Sequence, residues 1–168
     1  MSEHNISITQ GEIGVGGGPD TVITTILGSC VAVCLWDPVN MIGGMNHILV
    51  ARTTVNGMPS DFAGVNAMEL LINGIVRKGG VRGNLCAKIF GGARMVRGLS
   101  DVGQANGEFA LNFLSRENIS CLNASLGGTT ARQIKFYPGS GRAMQKTVSA
   151  IPQEEIITPP VGNGMELF

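Results

Sequence analysis

Cys30, His47 and Thr24 are the residues of this 168-residue chain whose types and spacing could do covalent chemistry. A cysteine nucleophile needs a base that holds it as thiolate, a third group that orients the imidazole, and amide donors for the oxyanion of the attacked carbonyl. The stretch Thr24-Thr25-Ile26-Leu27-Gly28-Ser29-Cys30, followed by His47, can supply all four. Cys30 comes directly after Gly28-Ser29, where a turn without a Cβ at its first position exposes the sulfur and points successive N–H groups into one concavity. His47 sits in the run Met45 to Val50, apolar apart from Asn46, and a histidine there must find a hydrogen-bond partner or be placed for work. Against this stands a plainer reading, since a buried cysteine is commonly a small hydrophobe and threonine is ordinary in strands. Cys34, Cys86 and Cys121 lie in apolar runs without adjacent turn glycines and read as core packing.

The third member depends on how the chain turns. If Val22 to Leu27 ran straight into Val31, Thr24 and Cys30 would lie roughly 20 Å apart. A reversal near Leu27 pairs residues 24 and 30 across a hairpin at about 5 Å. Thr24 then offers its hydroxyl or carbonyl near the histidine, and Thr25 points to the other face. A zinc site would need Cys30, Cys34 and His47 to converge. Four residues of strand hold the two sulfurs roughly 13 Å apart, too far for one tetrahedral ion. No metal and no cofactor is expected.

The elements that must position these residues are short and glycine-punctuated. Ile6 to Ile8 and Glu12 to Val15 read as weak strands; Val22 to Leu27, Val31 to Trp36 and Met45 to Val50 read as an antiparallel meander. The period then changes to 3.6: Val65, Met68, Leu71, Ile72, Ile75 and Val76 follow the capping candidates Ser60 and Asp61 and stop at Gly79-Gly80. A strand is expected from Leu85 to Phe90, a helix from Gln104 to Arg116 with Ala105, Phe109, Ala110, Phe113 and Leu114 on one face, and strands at Ile119 to Ser125 and Arg132 to Phe136. Seven to nine mostly antiparallel strands covered by two helices make an α/β layered domain. Residues 1–150 read as one domain and 151–168, with its prolines and glycines, as an irregular tail.

Composition excludes several classes. Charged residues make up 14% and hydrophobic residues 43%, which argues against disorder, and the 25 glycines have no three-residue period. Twelve basic residues balance twelve acidic ones and are scattered, so there is no basic face for nucleic acid. The glycine pairs at 43-44, 91-92 and 127-128 lack nucleotide-loop spacing and read as positions permitting φ > 0 turns and tight backbone approach. No run of 18 apolar residues is present, so no membrane insertion is expected, and MSEHNISITQ lacks a secretory pattern, so the expected location is cytoplasmic.

Taken in order, TTILGSCVAV at Thr24 to Val33, Trp36-Asp37-Pro38, Gly43-Gly44-Met45-Asn46-His47 and Ala87-Lys88-Ile89-Phe90-Gly91-Gly92-Ala93 resemble the CheD family of chemoreceptor glutamine deamidases. The likeness runs from about Gly11 to Val148, through Gly103, Asn106, Gly127-Gly128, Arg132 and Gly141. The resemblance implies a three-layer α/β/α sandwich and hydrolysis of selected glutamine amides on methyl-accepting chemotaxis receptors, giving glutamate and ammonia. It also implies a cysteine, histidine and threonine triad at Cys30, His47 and Thr24, a thioester intermediate, and a complex with a CheC-type phosphatase. Departures are Ala105, where the family often has arginine, and Val50-Ala51, where a leucine-proline pair is frequent. Two other readings use the same chain: a regulatory module for a CheC-type phosphatase, docking through the Gln104 to Arg116 helix or the Met165 to Phe168 tail, and a receptor methyl-ester hydrolase.

Overall fold

The computed structural model describes residues 3–50, 53–55, 58–95, 102–149 and 165–168. Strands β1 (His4–Ser7), β2 (Ile13–Gly17), β3 (Thr21–Leu27), β4 (Val31–Asp37) and β5 (Ile42–Asn46) lead to a short ribbon, β6 (Thr53–Val55) and β7 (Met58–Ser60). Helix α1 (Phe62–Arg77), strand β8 (Cys86–Gly91) and helix α2 (Val102–Arg116) follow, then β9 (Ser120–Leu126), β10 (Arg132–Tyr137), β11 (Arg142–Thr147) and β12 (Met165–Leu167). Two five-stranded sheets result, in the orders β1-β3-β10-β11-β12 and β2-β5-β4-β8-β9. The β1/β3 and β8/β9 pairs are parallel and the others antiparallel.

Strand β4 shows why its sequence, VAVCLWD, is apolar throughout. Val31, Val33 and Leu35 pack in one cluster with Met68, Leu71, Ile72 and Ile75 of α1 and Phe109, Phe113 and Leu114 of α2. Ala32, Cys34 and Trp36, alternating with them, pack on the opposite face with Ile23, Leu27, Ile134 and Phe136 of the other sheet. A strand buried on both faces has no polar period to show. The α/β class, two main helices and mixed, mostly antiparallel sheets are as expected, and the layers of the described elements run helices, sheet, sheet. No helix among the described residues is long and apolar enough to cross a membrane.

The meander holds only from β4 to β5. Strand β3 has its two edges taken by β1 and β10, and β4 has its edges taken by β5 and β8. The expected hairpin between residues 24 and 30 therefore does not form, and the segment Gly28-Ser29-Cys30 carries the chain from one sheet to the other. A glycine–serine turn between two apolar strands looks the same in sequence whether it closes a hairpin or crosses between sheets.

The pair Gly43-Gly44 lies within β5 and serves close backbone approach, since a Cβ on Gly43 would meet Trp36 Cβ at 2.6 Å. The pairs at 91-92 and 127-128 do have positive φ. Met165–Leu167 pair with β11 as a short strand, and the Phe168 ring stands edge-on to Phe90 at 5.3 Å. Lys88 Nζ donates to the main-chain oxygens of Phe168 (2.9 Å) and Gly141 (2.7 Å). The rest of the expected tail, 151–164, lies outside the described residues.

Candidate active site

The β4/β5 register brings the cysteine and histidine to one face. Cys34 lies opposite Met45, and the bridge between Val31 and Ile48 continues that register, with N···O distances of 3.0 and 2.8 Å. His47 therefore lies opposite Ala32, and Cys30, two residues before Ala32, is its diagonal neighbour on the face turned toward the other sheet. Both are nearly sealed, with 1% of Cys30 and 4% of His47 exposed. Asn46, on the opposite face, accepts from Val33 N–H at 2.9 Å and turns its amide to Met68 of α1.

The threonine whose hydroxyl meets His47 is Thr25, and Thr24 is not in contact with it. Thr25 Oγ1 lies 2.7 Å from His47 Nδ1 and donates to the Ile8 carbonyl at 2.8 Å. Thr24 Oγ1 meets Asn5 Oδ1 at 3.3 Å, and its carbonyl accepts from Ile8 N–H at 2.9 Å, so neither group is on the histidine. The cause is the sheet crossing: Ile23, Thr25 and Leu27 alternate inward between the two sheets, whereas a hairpin in one sheet would have turned Thr24 to that side.

This contact fixes the proton. A hydroxyl has one hydrogen, and the Ile8 carbonyl can only accept it. The Thr25–His47 bond must then run from Nδ1–H to Oγ1, which leaves Nε2 with the lone pair in the neutral ring. An imidazole so held can take a proton from a neighbouring thiol and return it to a leaving group.

The turn around Cys30 is tied down by its carbonyls. Gly28 accepts from Ala93 N–H (3.1 Å), Cys30 from Gly92 N–H (2.9 Å), and Ser29 from the side chain of Asn106 on α2 (2.8 Å). Asn106 is fully buried and its Oδ1 also accepts from Val50 N–H at 2.8 Å, so one residue clamps the segment just before Cys30 to the segment just after His47. Residue types alone gave Asn106 no role; a polar residue at the buried position of a helix was the available signal.

A cleft of about 230 Å³ opens beside His47, lined by Gln10, Glu12, Leu49, Asn66 and Leu70. Glu12 stays ionised at its mouth, held below the usual carboxylate range by hydrogen bonds from Thr9 N–H and Oγ1 and by nearby His47. A larger groove of about 520 Å³, between α2 and the loops at Arg94 and Gly127, contains none of the three residues. Cys34, by contrast, is fully sealed between the sheets, and burial pushes its thiol far above the range in which a thiolate forms.

Residues 51–147 match a family model described as CheD chemotactic sensory transduction. A protein of Agrobacterium fabrum (strain C58) named "Probable chemoreceptor glutamine deamidase CheD" is 44% identical over 173 residues, covering 97% of this chain and 96% of its own. The chain belongs to the CheD family. CheD proteins of the same name in Caulobacter sp. (strain K31), 48% identical, and of the name "CheD 1" in Ruegeria sp. (strain TM1040), 46% identical, cover 97% and 86% of this chain and 92% and 77% of their own. The family-model match begins after His47, whereas the relatives' alignments cover 86–97% of the chain.

Proposed function

We propose that the protein hydrolyses glutamine carboxamides of chemoreceptors, with Cys30 as nucleophile, His47 as base and acid, and Thr25 as the residue that orients His47. The observation that carries this reading is the Thr25 hydroxyl, whose single proton is committed to Ile8 and which therefore leaves Nε2 of His47 basic on the face that holds Cys30. The names of the relatives supply the substrate class. His47 takes the Cys30 proton, and the thiolate attacks the carboxamide carbon. Amides of the Gly28-Ser29-Cys30 turn hydrogen-bond the oxyanion. The C–N bond breaks as His47 protonates the leaving nitrogen, giving ammonia and a thioester on Cys30. His47 then deprotonates a water that attacks the thioester, releasing glutamate and the thiol.

Both reacting groups are buried, so only a side chain can reach them and the backbone that carries it must lie over the rim near Asn66 and Leu70. Methyl-ester hydrolysis would pass through the same acyl-enzyme. The regulatory reading has less surface than its sequence offered: Phe109, Ala110, Phe113 and Leu114 of α2 are buried in the core, and Phe168 packs on Phe90. The test is peptide mass spectrometry of a chemoreceptor fragment in its glutamine and methyl-ester forms, incubated with wild type and with Cys30→Ala. A gain of about 1 Da at glutamine with wild type alone is expected. Loss of ester mass without change at glutamine, or equal conversion by the Cys30→Ala protein, would overturn the proposal.

A further inference from the structure

We infer that Gln10 is a further catalytic residue of this site, its side-chain amide donating a hydrogen bond to the oxyanion formed when Cys30 attacks. This rests on the glutamine-hydrolase reading above and adds to it a residue that neither motif nor spacing indicates.

Three observations place Gln10 at the reacting atoms. Its Oε1 lies 3.9 Å from Cys30 Sγ, with the thiol as donor. It lines the cleft that also contains His47. The turn that bears it is fastened to the histidine's own backbone: Gly11 N–H donates to the His47 carbonyl at 2.9 Å, and His47 N–H donates to the Glu12 carbonyl at 3.2 Å. The turn is closed by Glu12 N–H to the Thr9 carbonyl (2.9 Å) and Thr9 N–H to the Glu12 carboxylate (2.8 Å), with Gly11 at φ +87° where a side chain would be strained. Residue 10 is thereby held to His47 and not to a free loop.

The chemistry follows from what each state of the sulfur can do. A thiol donates, and the amide oxygen accepts from it. Once the proton has passed to His47 the sulfur can only accept, and the amide turns its NH2 inward about a terminal torsion that is broad and two-fold, at little cost. In the tetrahedral intermediate the oxyanion is bonded to the carbon that carries the sulfur, so it lies within about 3 Å of Sγ. A donor about 4 Å from Sγ reaches that oxygen at an ordinary hydrogen-bond length. The attacked carbonyl is neutral in the ground state and charged in the intermediate, so the bond strengthens where it lowers the barrier. No bond to Gln10 forms or breaks.

The alternative use of the same contact has the opposite kinetic sign. A carboxamide that merely fills the substrate's seat would compete with substrate, and removing it would lower KM at constant kcat. The experiment is steady-state deamidation of a glutamine-bearing chemoreceptor fragment by full-length wild type, Gln10→Ala and Gln10→Glu. The expected result is a fall in kcat of about 10²-fold for Gln10→Ala with KM nearly unchanged, as for other single oxyanion donors. Gln10→Glu should fall at least as far, because a carboxylate only accepts. The exposed position of residue 10 leaves the thermal midpoint of both variants at the wild-type value. Unchanged kcat in Gln10→Ala, or a lowered KM at constant kcat, overturns the inference while leaving the hydrolase reading intact. Absence of Cys30-dependent deamidation by wild type overturns the reading beneath it.

Discussion

Thr24 and Thr25 differ by one position in sequence and by a whole face in the structure, and the difference is kinetic. Thr25→Val removes the acceptor that keeps the proton on Nδ1 of His47, and kcat should fall by about 10². Thr24→Val, whose hydroxyl meets Asn5, should leave kcat within about twofold of wild type, and parallel assays of the two variants check both. Cys34→Ala should keep its activity and lose about 1 kcal/mol in urea unfolding, because its sulfur only fills space between the sheets. Cys30 and His47 were legible in the sequence as candidates because Gly28-Ser29 before a cysteine and a histidine in an apolar run are unusual surroundings for those residue types. The threonine was not. Its identity depends on parity along β3, and parity points the right way only when the partner sheet is known. Gln10 was illegible for a related reason, since a polar residue in a glycine turn looks like any solvent-facing loop.

Elements hold the site through few contacts. Asn106 joins α2 to the segments flanking both Cys30 and His47, and Asn106→Leu leaves Val50 N–H and the Ser29 carbonyl without their partner inside the core. A loss of about 3 kcal/mol is expected in urea unfolding, with a lowered kcat in the variant that remains folded. Gly91, at the end of β8, has φ +114°, and a Cβ there would strike the Cys30 carbonyl oxygen and come within 3.1 Å of Val31 Cα. Gly91→Ala should cost about 3 kcal/mol and displace the nucleophile's segment, seen as lower kcat at temperatures where the variant is still folded. Both helices were readable from their 3.6-residue period, and α1 and α2 occur within two residues of the expected bounds at each end. Strand β11 was not expected: its sequence, RAMQKT, has polar residues at four of six positions and no β-branched residue before Thr147. It is a strand because β10 and β12 pair with it on either side.

Across the molecule, two sheets pack face to face and the chain crosses between them at Gly28-Ser29-Cys30, so Cys30 packs in the inter-sheet core while His47 lines the cleft. Asp37, fully buried at the end of β4, ties that strand to the turns at Asn40 and at 81–84. Burial alone would raise its carboxyl, but hydrogen bonds from the side chain and N–H of Asn40, from Val81 N–H and from Asn84 outweigh that and hold it well below the usual range. A depressed carboxyl contributes stability above its unfolded value of about 3.9, and that contribution is lost as pH falls through the folded value. Asp37→Asn should therefore be less stable than wild type at pH 7, and the gap in urea midpoints should narrow below about pH 4. A thioester between Cys30 and a receptor glutamine can be caught by acid-quenching wild-type protein during turnover of a chemoreceptor fragment and mapping the covalent adduct by mass spectrometry. An acyl adduct is expected on the peptide containing Cys30, absent from Cys30→Ala together with deamidation; conversion of glutamine at the wild-type rate by Cys30→Ala, with no adduct on that peptide, would exclude the thioester.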